Sequence, residues 1–236
     1  MRILIISDVH ANLAALAALP AADSIVCAGD LVVYGPDPRV VDQLMESGAY
    51  CVRGNEDHAV AFGGSHVAPP GLERAAAETR TWTREVLNPA QMSWLSRLPP
   101  ELELEASGHR IAVTHAYAGD DERYLDPTDE ELARTARAFP RASLIVLGHT
   151  HRQGIWRLRE TTILMPGSVG QSERGGRASF AMVERGAIAL HHVPYDLART
   201  VRHIGLTPWS DATKAACIQV LHRGALRPRE RVPLRR

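Results

Sequence analysis

Residues 1–10 read MRILIISDVH. A continuous apolar run, Ile3-Leu-Ile-Ile6, passes straight into Ser7-Asp8 with no alternation. A strand with one wet face alternates polar and apolar side chains, whereas one covered on both faces reads as unbroken apolar sequence. The chain therefore opens on a buried strand whose C-terminal end carries a carboxylate, Asp8, and an imidazole, His10. Ser24-Ile-Val-Cys-Ala28 repeats the pattern and ends at Gly29-Asp30, and Tyr50 to Arg53 ends at Gly54-Asn55. Two helices are predicted between them. The first runs from Asn12 to Leu19, with Leu13, Leu16 and Leu19 at helical spacing, and Pro20 stops it. The second runs from Arg39 to Ser47, with Val40, Val41 and Leu44 on one face, and Gly48 closes it. Three buried strands alternating with two helices predict a parallel sheet with right-handed crossovers, hence an α/β fold.

Further along, Pro69 to Val86 is the longest helical segment, with Leu72, Ala75, Ala76, Thr79, Trp82 and Val86 near one face. Pro89 to Leu98 follows, with Asn88 as N-cap and Pro89 in the first turn. Glu101 to Ala106 alternates Glu and Leu, a half-exposed strand that turns at Ser107-Gly108 into His109 to Thr114, a hairpin. Leu144 to Leu147 is another fully apolar strand, ending at Gly148-His149. Ile155–Leu158, Thr161–Leu164, Ser179–Val183 and Ile188–His192 read as later strands with few helices between them, so this half is expected to be more antiparallel. No internal repeat or flexible linker breaks the chain, and a single domain over 1–236 is expected. Its end, 223–236, holds six arginines and one glutamate and reads as a solvated tail or an arm for a partner or phosphate.

The polar residues are informative through their positions. Five predicted strands end in metal-competent side chains: Asp8 and His10, Asp30, Asn55, His115, then His149 and His151. In an open α/β sheet the ligand lies outside the carboxyl ends of the strands. Two carboxylates, one amide and four imidazoles suit borderline divalent ions, and seven groups are too many for one catalytic ion. They fit two ions sharing a carboxylate, an arrangement that can clamp a phosphoryl oxygen for in-line attack. No sulfur ligand accompanies them, which argues against a structural zinc knot.

In this order, Asp8-x-His10, Gly29-Asp30, Gly54-Asn55-x-Asp57, His115 and Gly148-His149-x-His151 resemble the calcineurin-like metallophosphoesterase superfamily. Asp8-Val-His-Ala-Asn12, Gly29 to Pro38 and Pro166-Gly-Ser-Val-Gly-Gln171 further resemble its small YfcE-like phosphodiesterase branch. The resemblance implies a four-layer α/β/β/α sandwich of two mixed sheets with the dimetal site at the strand C-terminal edge. It implies one ion held by Asp8, His10, Asp30 and His151, a second held by Asp30, Asn55, His115 and His149, and Asp30 as the bridge. Mn²⁺ is the expected ion, with Fe, Ni, Co or Zn as alternatives. The implied activity is that of a phosphodiesterase using a metal-bridging hydroxide. A weakly catalytic protein-binding scaffold of the same fold, a phosphomonoesterase and a nucleotide pyrophosphatase are the alternatives.

Asp30, Asn55, Glu56, Asp57 and His58 form the candidate catalytic set. Many superfamily members carry a histidine at the place of Glu56, thought to bind phosphate and protonate the leaving group. A glutamate could do that work at neutral pH only if burial raised its pKa. It would also repel a dianionic monoester more than a monoanionic diester. His58 is read either as a substitute acid or as a solvent-facing residue at a helix start. Asn12, Tyr34 and Arg174 are the candidate substrate contacts. Tyr34 stands where related phosphatases carry a phosphate-gripping arginine, and Arg174 reads either as a replacement contact or as an ordinary loop residue.

Composition excludes several other classes. Twenty-seven basic and 27 acidic residues cancel, so no global field draws nucleic acid or an anionic membrane. Three cysteines without CxxC spacing argue against a disulfide framework. No stretch is long and apolar enough to span a bilayer. The expected protein is soluble and cytoplasmic, acts on a small phosphodiester or nucleotide, and is compatible with a homo-oligomer.

Overall fold

A computed structural model describes residues 1–64, 68–117 and 128–224. In chain order the strands are β1 (Arg2–Ile6), β2 (Ser24–Cys27), β3 (Tyr50–Cys51), β4 (Glu101–Ala106), β5 (His109–Thr114), β6 (Leu144–Leu147), β7 (Gln153–Leu158), β8 (Thr161–Pro166), β9 (Arg177–Glu184) and β10 (Ala187–Pro194). The helices are α1 (Leu13–Ala17), α2 (Val40–Glu46), α3 (Asn55–Phe62), α4 (Glu73–Val86), α5 (Pro89–Arg97), α6 (Asp129–Ala138), α7 (Leu197–Leu206) and α8 (Asp211–Arg223).

The strands form two five-stranded sheets, ordered β10-β9-β1-β2-β3 and β4-β5-β6-β8-β7. β1, β2 and β3 pair in parallel, as their apolar sequences require. β9 joins β1 antiparallel, which makes the first sheet mixed. The later half is the more antiparallel one, as expected: β4–β5, β7–β8 and β9–β10 all pair antiparallel. The exception is the middle of the second sheet, where β5 pairs with β6, and β6 with β8, in parallel, and α6 lies between β5 and β6 in the chain.

Side-chain alternation explains the layers. Ile3 and Ile5 of β1, with Val26 and Ala28, meet Ile111, Val113, Leu144, Val146 and Leu164 in one buried cluster between the sheets. Leu4 and Ile6 point the other way, into a cluster shared with Leu16, Val40, Val41, Leu44, Val60 and Leu72. Ala112, Ile145, Leu147 and Ile163 point outward from the second sheet onto Leu132 and Phe139 of the α6 side. The result is the four-layer α/β/β/α sandwich.

Four helices lie outside the sequence reading. The polar run Asn55-Glu-Asp-His58 is the first turn of α3, with Gly54 as its N-cap. α6 begins with a capping box between Thr128 and Glu131. In α8, Ser210 caps a face of Thr213, Cys217, Val220 and Leu221, a pattern at i, i+4, i+7 and i+8 that was legible. α7 starts at an Asp196 cap. The helix expected from Pro69 begins only at Glu73, because Gly71 takes a positive φ of 84°. Trp82 packs edge-on against Trp209 within the helical layer. Of the Arg-rich end, Arg223 closes α8, and 225–236 lie outside the described residues.

Candidate metal centre

The strand ends of both sheets meet along one edge. Asp8 N–H donates to Gly29 O, His10 N–H to Asp30 O and Ala11 N–H to Leu31 O, continuing the β1–β2 pairing past the strands themselves. Gly148 N–H donates to His115 O and ties β6 to β5. These bonds bring the seven sequence-predicted donors together, and all but the half-buried His151 are buried.

Two groups of donors result. Asp8, His10 and His151 form one; Asp30, His115 and His149 form the other. In the first, His10 Nε2 lies 3.0 Å from His151 Nε2, which lies 3.4 Å from Asp8 Oδ1. In the second, His115 Nε2 lies 3.4 Å from Asp30 Oδ2. Asn55 Oδ1 lies 3.0 Å from His115 Nε2 and 2.9 Å from His149 Nδ1. Asp30 faces both groups, because its Oδ2 is also 4.0 Å from His10 Nε2.

This geometry fits divalent ions. Ligand atoms about 2.1 Å from a common ion, at right to tetrahedral angles, stand roughly 3.0–3.4 Å apart. His10 Nδ1 donates to Val32 O at 3.3 Å and His115 Nδ1 to Ala28 O at 2.6 Å. A carbonyl only accepts, so each Nδ1 carries a proton and Nε2 is the nitrogen left to face the centre in both rings. Asn55 Nδ2 and His151 Nδ1 are buried with no partner among the described residues. Orphaned buried polar atoms are rare, and two residues of the donor set carry one, as Ser7 Oγ and Trp209 Nε1 do elsewhere.

The electrostatics prepare the set for cations. Burial, reinforced by the neighbouring His151, pulls His10 down to about 4. Burial and His115 pull His149 down to about 3. Both imidazoles are therefore neutral and able to ligate. Burial alone would raise Asp8 and Asp30; the surrounding imidazoles override it and hold both carboxylates below their ordinary range. His115 is opposite: burial lowers it, but the Asp30 and Asp8 carboxylates carry it up to about 10. A proton on His115 stands in for a cation that the carboxylates attract.

The backbone is strained at the same place. Asp8, His10, Asp30, His149 and His151 all have positive φ, between 46° and 64°. Val33 and Tyr34 follow at 74° and 65°. A β-branched residue with left-handed φ is a true outlier, and such strain concentrates at functional sites. Glycines permit the close approach: a Cβ on Gly54 would collide with Asp30 Oδ1 and its backbone N, and one on Gly29 with Gly54 N at 2.6 Å.

Several candidates take other roles. Asp57 was read as catalytic, but its Oδ1 accepts from Leu31 and Val32 N–H at 2.9 and 3.3 Å and its Oδ2 from Gly54 N–H at 3.0 Å. It is fully buried, and burial with the Asp30 charge pushes it up to about 7. It locks the Asp30 loop to the start of α3. Asn12 caps α1 through Ala15 N–H, accepts from Thr200 Oγ1 and donates to Gly170 O, which commits its side chain to the frame. The Pro166–Gln171 stretch also braces the site: Val169 N–H donates to Ser7 O, and Gly170 N–H and Ser168 Oγ both reach Asp8 O. Arg174 is exposed on a loop and acts on His192. His58 is exposed and lies against the Phe62 ring.

Glu56 does not stand alone as a carboxylic acid. Its carboxylate accepts from Arg80 Nε at 2.5 Å and Nη2 at 2.7 Å, a bidentate pair with both side chains nearly buried. Burial raises Glu56, and Arg80 and the Tyr34 hydroxyl oppose the rise. The repulsion expected between Glu56 and a phosphate dianion is thus offset by a guanidinium. Sequence reasoning missed Arg80 because nothing local links it to a glutamate 24 positions earlier in the chain.

The family model of the calcineurin-like phosphoesterase superfamily domain matches residues 1–186, which include all seven donors. An uncharacterized protein of Methanocaldococcus jannaschii is 28% identical over 229 residues, covering 86% of this chain and 91% of that one. The crystal structure of a metallophosphoesterase from Sphaerobacter thermophilus is 27% identical and superposes with a TM-score of 0.73, covering 93% of this chain and 99% of that one. A protein of Pyrococcus horikoshii shares the fold at 18% identity, with a TM-score of 0.79 over 95% and 98% of the two chains.

Proposed function

The chain belongs to the calcineurin-like phosphoesterase superfamily, and on that basis we propose that it is a two-metal hydrolase of phosphodiesters. One observation carries the reading: two donor groups, Asp8–His10–His151 and Asp30–His115–His149, lie side by side with Asp30 facing both. Asn55 completes the second group with a neutral oxygen, which limits the negative charge the ions must offset. Bound there, two divalent ions would activate water and neutralise charge developing at phosphorus; Mn²⁺ suits the mixed oxygen and nitrogen donors.

The chain's own residues hold that chemistry in place. Val32 O and Ala28 O orient two imidazoles, Asp57 fixes the Asp30 loop, and the Pro166–Gln171 stretch fixes Asp8. Glu56 is held as an acceptor on Arg80, so position 56 supplies no imidazole-like acid to the leaving group and no phosphate donor of its own.

The deciding experiment compares initial rates on an aryl phosphodiester and its monoester after the protein is stripped and reloaded with Mn²⁺. A marked diester preference, abolished in Asp30→Asn and His149→Ala, is the expected result. A monoester preference would overturn the diester reading and leave the metal centre standing. No turnover of either substrate would overturn the hydrolase reading for such substrates.

A further inference from the structure

We propose that Arg80, clamped by Glu56, is the anion-binding residue of this centre, and that it takes a non-bridging phosphoryl oxygen through Nη1. The inference rests on the two-metal reading above and adds to it the group that grips substrate beside the ions.

The placement begins in α4. Ala75, Ala76, Thr79, Arg80 and Thr83 form its buried face, so an arginine occupies a helix stripe that faces the core. The helix packs against α3, whose first residues are Asn55 and Glu56. Glu56 N–H donates to Asp30 Oδ1 at 2.9 Å, so the residue that holds Arg80 is itself fastened to the carboxylate facing both donor groups. Tyr34 closes the other side: its ring meets the His10 ring edge-on at 5.4 Å, and its hydroxyl acts on Glu56. Arg80, Glu56 and Tyr34 therefore form one wall next to the donors. Arg80 is about nine-tenths buried.

The guanidinium is only partly used. Nε and Nη2 are taken by Glu56, while Nη1 has no hydrogen bond among the described residues. A buried Arg–Glu pair is a weak source of stability, since well-packed apolar side chains of the same volume do as well or better. It does give a rigid cation, because the carboxylate fixes the planar fork and leaves one edge open. Such an edge matches one oxygen of a phosphate.

The test uses the full chain loaded with Mn²⁺ and inorganic phosphate as the probe. The double variant Glu56→Gln/Arg80→Gln removes both charges together and leaves no buried ion unpaired. Arg80→Lys retains the charge and loses the fork. Metal content, thermal midpoint, phosphate affinity by calorimetry, and KM and kcat on an aryl phosphodiester are measured for each. The expected double variant binds two Mn²⁺ and melts close to wild type. Its phosphate affinity falls at least ~10-fold, and its KM rises more than its kcat falls, with Arg80→Lys intermediate. Unchanged phosphate affinity and KM in a variant that still holds two Mn²⁺ would overturn the proposal. Failure of the two-metal reading would look different: wild-type protein would take up no Mn²⁺. The same phosphate titration on metal-free protein would then judge Arg80 alone, with weaker binding in the double variant supporting it and equal binding overturning it.

Discussion

His10 Nε2 and His151 Nε2 stand 3.0 Å apart, although 141 positions separate them in the chain. His10 Nδ1 is committed to Val32 O, so its facing nitrogen carries a lone pair, which a proton on His151 Nε2 satisfies in the metal-free protein and a shared cation would satisfy in the two-metal reading. His10→Ala or His151→Ala is expected to lower bound Mn²⁺ from two ions per chain to one, because the Asp30 group is intact in both. Elemental analysis after desalting reads the ratio directly; two ions in either variant would remove this pair from the ligand set.

Metal should also stabilise the fold, since Asp8 and Asp30 are buried in one centre where a divalent ion would balance them better than the proton on His115 does. At about 100-fold excess over its dissociation constant, Mn²⁺ contributes about 2.7 kcal/mol. For a chain of this size that corresponds to roughly 5–10 °C in Tm. Scanning calorimetry with and without chelator measures it, and a midpoint indifferent to the ion would count against a preformed site.

Gly54→Ala is expected to lose metal without touching a ligand. The added methyl would overlap Asp30 Oδ1 and its backbone nitrogen, and backbone cannot swing away as the tip of a side chain can. Weaker Mn²⁺ binding with retained far-ultraviolet circular dichroism is the expected outcome. Wild-type metal affinity would mean that the Asp30 loop tolerates the displacement.

Asp57→Ala separates framework from catalysis. It leaves three buried N–H groups, of Leu31, Val32 and Gly54, without their acceptor. Each orphaned donor costs about 1–3 kcal/mol, so urea denaturation should show a loss of at least ~3 kcal/mol. Unaltered stability with a lost limb in the pH–rate profile would instead return Asp57 to an acid–base role.

Glu56→Ala strands Arg80 in a largely buried position. Breaking one side of such a pair costs about 3–5 kcal/mol, far more than removing an exposed charge. A change below about 1 kcal/mol in the denaturation curve would show that Arg80 escapes to solvent.

Much of this protein is written locally. Ile3-Leu-Ile-Ile6 has no polar alternation because both of its faces are covered, and the donors at successive strand ends follow from the direction of parallel strands. Position along the chain therefore placed Asp8, Asp30, Asn55, His115 and His149 on one edge. The caps of α6 and α8 were equally legible, at Thr128 and Ser210. Other features depend on contacts between distant segments. Asn55 to His58 reads as a polar turn until Asp57 reaches back to Gly54 and Leu31 and makes it a helix start. The left-handed backbone at His10, Asp30 and Val33 carries no local signature, since only the surrounding packing can hold residues of those types there. Glu56 and Arg80 look like two surface charges in the linear chain, and packing of α4 on α3 makes them one buried pair. Sequence determined which donors this chain brings to the edge because strand order and side-chain chemistry are local. Tertiary structure decided which polar residues gather at the candidate centre and which become struts, because desolvation and hydrogen-bond partners are set only when remote segments meet.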